Sequence, residues 1–260
     1  VYLVDRVIPM LPEILSNNIC SLKPNVDRLA YSILFEMDEK ANLIDYKISK
    51  TVIHSDVRFT YQTAQDVIDN NEGKLKSEIL LLDKLSKILR KKRQQNGSIN
   101  FESTEVKFIL DKDNNPVDVY FKESLSTNHL IEEFMLLANK TVAKHIGFPK
   151  KDAKSFVYRV HDLPDTDRIS TLNNIVKKFG HSINNENSNK LSESLNDLLK
   201  KVKGKKEQQM VETLTIRSMA KAVYSTNNIG HYGLAFDYYS HFTSPIRRYP
   251  DLIVHRLLED

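Results

Sequence analysis

The sequence predicts an α+β fold, a mixed or antiparallel sheet with helices packed on it, on three observations. Strand-like and helix-like stretches interleave without the regular strand–helix–strand rhythm of a parallel sheet. Two runs rich in β-branched and aromatic residues flank a short polar turn near the start. Further on, apolar residues recur at three- and four-residue spacing over long stretches, which marks amphipathic helices. The 260 residues, 40% hydrophobic and 28% charged, can bury a substantial core as one large domain or two ordinary ones. That balance fits a globular protein and excludes a disordered one.

In chain order, Tyr2 to Leu22 reads mostly as loop, because Pro9 and Pro12 forbid a regular interior. Strands are expected at Leu29–Met37 and Tyr46–His54 around the turn Asp38–Asn42, in a sheet with one face covered. Thr60 is placed to cap a short helix reaching Ile68. A longer helix follows over Lys76–Gln95, its stripe built from Ile79, Leu82, Leu85, Ile88 and Leu89. Asn96-Gly97 closes it as a left-handed cap does. Glu105–Leu110 and Val117–Lys122 read as a hairpin around an Asp- and Asn-rich turn. Thr127–His145 reads as a helix with Leu130, Phe134, Leu137, Ala138 and Val142 on its buried side. A strand at Phe156–His161, a helix at Thr166–Phe179 ended by Gly180, and a surface loop at Ser182–Lys190 come next. The basic run around Gly204 interrupts the helices on either side of it.

No apolar run reaches the roughly 18 residues that a membrane span needs. The start, Val1 to Arg6, lacks the basic segment and cleavage site of a signal peptide, and also lacks a methionine, so the chain is expected to begin inside a longer protein. A single cysteine, Cys20, permits no internal disulfide and points to a reducing, cytoplasmic compartment. It is expected to be a buried, inert thiol. The net charge of +4 permits a nucleic-acid partner without requiring one. The dense runs Arg90–Arg93 and Lys200–Lys206 read as solvated faces.

The most informative stretch lies near the C-terminus: His231-Tyr232-Gly233-Leu234-Ala235, then His241-Phe242-Thr243-Ser244-Pro245-Ile246-Arg247-Arg248-Tyr249-Pro250-Asp251. Ser244-Pro245 reads as a helix start, which puts Arg247 and Arg248 in the first turn. Cations there oppose the helix dipole, unless the helix tip and its two guanidinium forks receive a phosphate. The plain alternative is a solvated arginine pair. His231, His241 and His255 fit no zinc spacing and are expected to make structural hydrogen bonds.

That stretch, together with Ile216-Arg217-Ser218-Met219, Tyr224-Ser225 and the upstream Ile8-Pro9-Met10-Leu11-Pro12, closely resembles the catalytic domain of the ribonuclease II and ribonuclease R family. The unbroken Thr243–Asp251 string leans toward the ribonuclease R branch. The resemblance implies that residues 1–260 are most of the RNB catalytic domain, with helices and sheet around a narrow RNA channel. It also implies a processive, hydrolytic 3′ to 5′ exoribonuclease that releases nucleoside 5′-monophosphates from single-stranded RNA. By position in the family motifs, Arg247 contacts the phosphate at the scissile bond as the catalytic residue. Tyr2 and Phe101 clamp stacked bases, Tyr61 and Glu132 orient the terminal nucleotide, and Ser244 and Arg248 also touch RNA. Arg248 and Tyr249 are further expected to hold the helix in place. One of Glu132 and Glu133 should face inward.

The family's metal, normally Mg²⁺, sits on a dense group of aspartates that this sequence does not contain, so no metal ligand is assigned here. The aspartate-rich part and the flanking oligonucleotide-binding barrels are expected to lie outside the chain, upstream of Val1 for the aspartates, which leaves this piece inactive alone. Asp111-Lys112-Asp113 is too sparse for a metal and reads as a turn. A monomer acting on single-stranded RNA, with no membrane partner, is expected. The competing reading from the same resemblance is a catalytically inactive RNA-binding clamp.

Overall fold

A computed structural model describes residues 3–4, 6–100, 105–122, 124–148 and 155–259. In chain order its strands and helices are β1 (Asp27–Met37), β2 (Leu43–His54), α1 (Tyr61–Asn70), α2 (Lys76–Gln95), β3 (Glu105–Leu110), β4 (Pro116–Lys122), α3 (Ser126–Gly147), β5 (Tyr158–Val160), α4 (Thr166–Lys177), α5 (Ser188–Val202), α6 (Gln208–Ser218), β6 (Val223–Ser225) and α7 (Tyr249–Glu259). A single π-helical turn at Ile14–Ile19 precedes them, and a 3₁₀ turn at Tyr232–Leu234 follows β6. The fold is α+β. The chain divides into two compact units, one of Val1–Arg90, Ser103–Asn139 and His241–Asp260, the other of Lys91–Glu102 and Lys140–Ser240.

In the first unit, β1 and β2 form an antiparallel hairpin whose connecting turn is organised by Asp38. Its Oδ1 accepts the N–H groups of Lys40 at 2.9 Å and Asn42 at 2.7 Å, which pre-shapes the reversal. One end of the hairpin rests on α7: the Tyr31 hydroxyl donates to the Leu258 carbonyl at 2.9 Å, and Lys50 pairs with Glu259. Two residues further along the same face, Leu29 and its cross-strand partner Val52 are 86% and 66% exposed. The expected covering of one face therefore holds only over the Tyr31 end. Helix α1 starts where Thr60 predicts, by a reciprocal box in which the Thr60 side chain accepts from Thr63 N–H and the Thr63 hydroxyl accepts from Thr60 N–H. The β3–β4 turn is likewise an Asp111 construction, its Oδ1 taking the N–H groups of Asp113 and Asn115. These bonds to the ionised form hold the Asp111 carboxyl below the ordinary carboxylate value.

The second unit is built around α4, α5 and α6. Leu195, Leu198 and Val202 of α5 pack with Ile169, Leu172 and Val176 of α4 and Val211 of α6, all essentially excluded from solvent. Asn187 caps α5 through its side chain, which accepts Lys190 N–H at 2.9 Å. Helix therefore begins at Ser188, inside the stretch expected to be loop. Gly97 closes α2 with φ +94°, as the Asn-Gly pair predicts.

Two further expectations are corrected. Instead of one sheet, the described strands make three separate two-stranded antiparallel ribbons, β1–β2, β3–β4 and β5–β6. Each of the two long hairpins leads on into helix, at Tyr61 and at Ser126, and no third described strand pairs with its edge. Cys20 is exposed, not buried, because the short turn it follows buries only Ser16 and nothing lies over the thiol.

Truncating Leu195 to Ala should cost about 2–5 kcal/mol of unfolding free energy, since it empties a fully enclosed site. Leu29→Ala should change it by less than about 0.5 kcal/mol. Urea denaturation followed by circular dichroism measures both.

Candidate functional site

Within the first unit, α3 carries a series of attachment points. At its first turn, Thr127 donates its hydroxyl to the Tyr61 carbonyl at 2.9 Å and its N–H to Gln65 at 3.3 Å. The neighbouring Ser126 hydroxyl donates to Asp83 of α2 at 2.6 Å, and that buried carboxylate also receives Lys87 at 2.6 Å. The start of α1, where Tyr61 stands 44% exposed, is thus tied to α3, and α3 in turn to α2.

Five residues further on, about 7 Å along the axis, stands Glu132. Arg90 donates to its carboxylate at 3.1 Å and to His129 Nδ1 at 3.0 Å. The same guanidinium lies 3.8 Å from Glu133, which is buried. The inward carboxylate of the pair is therefore Glu133. Glu132 is the outward one, with its side chain 44% exposed, and it is held in direction by Arg90. A buried carboxylate beside a guanidinium avoids the cost that a lone one would carry.

Two turns beyond Glu132 on the same helical stripe, the Asn139 side chain accepts the N–H of Phe242 at 2.9 Å. The Phe242 ring stacks on His255 of α7 at 4.6 Å and meets Tyr31 edge-on at 6.5 Å. His255 also contacts the Phe242 carbonyl through Nε2 at 2.9 Å, the structural role expected of it. This anchors the His241–Asp251 stretch to α3.

The stretch then makes a tight turn, and here the sequence expectation is corrected. Helix does not begin at Ser244-Pro245. Residues Pro245–Arg247 form a turn in which the N–H groups of Arg247 and Arg248 both donate to the Ser244 carbonyl at 3.2 Å, and α7 begins only at Tyr249. Ser244 caps nothing through its hydroxyl; its own N–H donates to Asp251 Oδ1 at 2.8 Å. Asp251, with no solvent exposure, also takes the Arg248 fork, Nε to Oδ2 at 2.9 Å and Nη2 to Oδ1 at 2.8 Å. The Arg247 N–H that a Ser244 cap would have received goes to the Ser244 carbonyl instead, while the charged Asp251 fixes Ser244 and the Arg248 fork. Arg247 is carried at the exposed end of this locked turn.

Tyr61, Glu132, Ser244, Arg247 and Arg248 thus all stand on elements of one unit that are tied to α3. Tyr2 and Phe101 lie outside the described residues. Among the described residues, no group of three His, Cys, Asp or Glu side chains is placed to hold a metal ion. The described residues therefore offer no ligand set for the Mg²⁺ that the sequence resemblance implies. No described helix is long and apolar enough to cross a membrane.

The family model described as the RNB domain matches residues 1–260. The chain belongs to the RNB domain family. Over its full length this RNB domain is 43% identical to ribonuclease R of Thermotoga maritima, of which it covers 37%, and 38% identical to ribonuclease R 1 of Lactococcus lactis, of which it covers 32%. It spans about a third of the length of these curated relatives. Among solved structures, it superposes with a TM-score of 0.87 on Mycoplasma genitalium RNase R in complex with ribose methylated single-stranded RNA, at 29% identity, covering 97% of this chain and 40% of that one.

The second unit of the RNB domain holds the other motif. His161 accepts the N–H of Gly233 at Nδ1 (2.9 Å) and donates from Nε2 to the Ala220 carbonyl at 2.8 Å, so its proton sits on Nε2. Gly233 suits this approach, because a Cβ there would lie 3.2 Å from the His161 ring and the ring would have to give by a few tenths of an ångström. His231 accepts the N–H of Leu234 at 3.3 Å, and Tyr232 packs on the helical core. Sequence reasoning assigned no role to Asp251, Asn139, Thr127 or His161, and it read Arg90–Arg93 as a solvated face, whereas the Arg90 side chain is 17% exposed and Arg93 is buried. For Asp251 a signal existed: an acid three residues after Arg248, in the first turn of a helix, is placed to accept from both the turn and the fork.

Burial pushes the Tyr232 hydroxyl up from the usual value of 10.0 to about 12. A raised folded value favours the neutral phenol, so its contribution is complete below about pH 10 and falls as pH rises toward 12. Unfolding free energy should therefore decline between pH 10 and 12, with a shallower slope for Tyr232→Phe. Denaturant titrations at stepped pH check this.

Proposed function

We propose that this RNB domain is catalytic machinery of a hydrolytic, processive 3′ to 5′ exoribonuclease of the ribonuclease R type, acting in the cytoplasm as a monomer on single-stranded RNA. The observation that carries the reading is the turn at Ser244–Arg248, closed on a buried carboxylate so that Arg247 is presented at its exposed end. A guanidinium supplies two parallel donors to phosphate oxygens, and one held by a rigid turn need not reorganise as charge develops on phosphorus. In this reading Arg247 neutralises the phosphate under attack while water displaces the 3′ oxygen of the preceding nucleotide, leaving a nucleoside 5′-monophosphate. The divalent metal, Mg²⁺ in this proposal, would supply activated water in the whole protein.

Glu132 and Tyr61 are the proposed terminal-nucleotide contacts. Glu132 offers an outward carboxylate already oriented by Arg90, suited to accept from ribose hydroxyls. Tyr61 offers an exposed ring at the fixed start of α1. Ser244, Tyr2 and Phe101 complete the proposed RNA contacts. Arg248, whose fork is directed to Asp251, acts mainly by holding the turn.

In the full-length polypeptide, with Mg²⁺ and a 5′-labelled oligoadenylate, Arg247→Ala should lower kcat on the order of a hundred- to a thousandfold. The Kd, measured without metal, should move by less than about threefold. Equal losses in both would remove Arg247 from the catalytic role. Undiminished binding with no hydrolysis in the parent protein itself would favour the inactive clamp.

A further inference from the structure

We infer that Asp251 is a positioning residue for the reaction, and that it acts on RNA only through Arg247. This rests on the proposed role of Arg247 and deepens it. Asp251 cannot be a catalytic residue, since none of its surface reaches solvent. Its two oxygens instead close a small framework. Oδ1 holds Ser244 N–H at one end of the turn and Arg248 Nη2 at the other; Oδ2 holds Arg248 Nε. The Ser244 carbonyl, on the far side of the same residue, receives the N–H groups of both arginines. The turn from Ser244 to Arg248 is thereby held at the Ser244 N–H and at the Arg248 side chain by a single carboxylate, and Arg247 departs from within it.

The neighbouring arginines consequently have different jobs. Arg248 spends its bidentate face on Asp251 and offsets the buried charge. Arg247, next to it in the turn, is exposed.

The carboxylate's charge and its two-oxygen geometry both matter to this device. Asp251→Asn keeps one oxygen for Ser244 N–H but turns an NH₂ group toward the Arg248 fork, donor against donor. The turn then loses its second anchor, and Arg247 is no longer fixed in direction. A displacement of about 1 Å at a reacting group is worth on the order of a hundredfold in rate.

The test uses the full-length polypeptide with Mg²⁺ and a labelled oligoadenylate, and compares Asp251→Asn, Arg247→Ala and the double variant. Asp251→Asn should lower kcat on the order of a hundredfold with KM within about threefold, and Arg247→Ala added to it should lower kcat by no more than about threefold again. A residue that merely stabilises the fold would give losses that multiply in the double variant, and that result would overturn the inference. So would wild-type turnover in Asp251→Asn. Should Asp251→Asn show no cooperative thermal melt, Arg248→Lys takes its place under the same criteria, since it retains the charge but not the fork. Unchanged kcat in Arg247→Ala would bring down the catalytic reading itself. A large loss there with full activity in the Asp251 or Arg248 variant would bring down the positioning role alone.

Discussion

The buried carboxylate of Asp251 is the constraint on which the rest of the candidate site depends. Burying a charge is costly unless it is paired and its remaining lone pairs are met. Here the pairing partner is Arg248, and the remaining demand is met by a backbone N–H from Ser244. The solution to that local electrostatic problem is also a geometric one, because satisfying Asp251 leaves the intervening residues nowhere to go but into a tight turn. It sets the start of α7 at Tyr249 rather than Ser244, and it places an acid in the first turn of α7, where the helix dipole favours negative charge.

A turn so defined needs a fixed base, and α3 supplies it. Thr127, Glu132 and Asn139 lie along one helix, and each carries a different duty: holding the start of α1, presenting an outward carboxylate, and receiving the backbone of Phe242. Glu132 and Asn139 share a stripe of the helix, yet Asn139 is buried and Glu132 is exposed. The stripe is thus covered at its Asn139 end by the His241–Phe242 segment and open at Glu132. Because the helix is rigid on this scale, the spacing between these attachment points is set by the number of residues between them and not by loop conformations. Side chains arranged this way are held more firmly than they would be on flexible connections.

Where the local signal was strong, the sequence was sufficient. Thr60 as a cap, Asn96-Gly97 as a terminator and the Lys76–Gln95 helix each rest on interactions within a few residues and appear as read, but the apolar stripe read for that helix does not: Leu82 is exposed, while Asp83, Ser86 and Arg93 lie buried with Ile79. The misses share a different cause. Ser244-Pro245 is a sound local start signal, but the Arg247 and Arg248 N–H groups turn back onto the Ser244 carbonyl, and Asp251, seven residues on, holds Ser244 by its N–H, so helix waits until Tyr249. In the Ser182–Lys190 stretch, polar composition argued for loop, whereas Asn187 served as a cap to a helix whose buried face lies further along at Leu191, Leu195 and Leu198. Cys20 was judged from the average behaviour of cysteines, yet exposure is decided by what the surrounding segment buries. Thr127, Asn139 and Arg90 were illegible for the same reason: their partners lie 39 to 103 residues away in sequence, and nothing local announces them.

The two motif segments that carried the resemblance divide the work between architecture and chemistry. In His231–Ala235 the glycine fits closely against His161, the histidines satisfy backbone groups, and the tyrosine packs against the helical core. Each of these is a folding duty. In Ser244–Asp251 the buried members do the same, but their combined effect is to expose Arg247 on a fixed turn. Identity across both segments therefore says chiefly that the scaffold is shared, since most of the matching residues would be needed by any protein that folds this way. In the proposed reading the chemical content rests instead on Arg247, Glu132 and Tyr61, each exposed and each standing on an element tied to its neighbours. A residue that the fold does not need, held where the fold does not let it wander, is the structural signature by which a site can be distinguished from the scaffold that bears it.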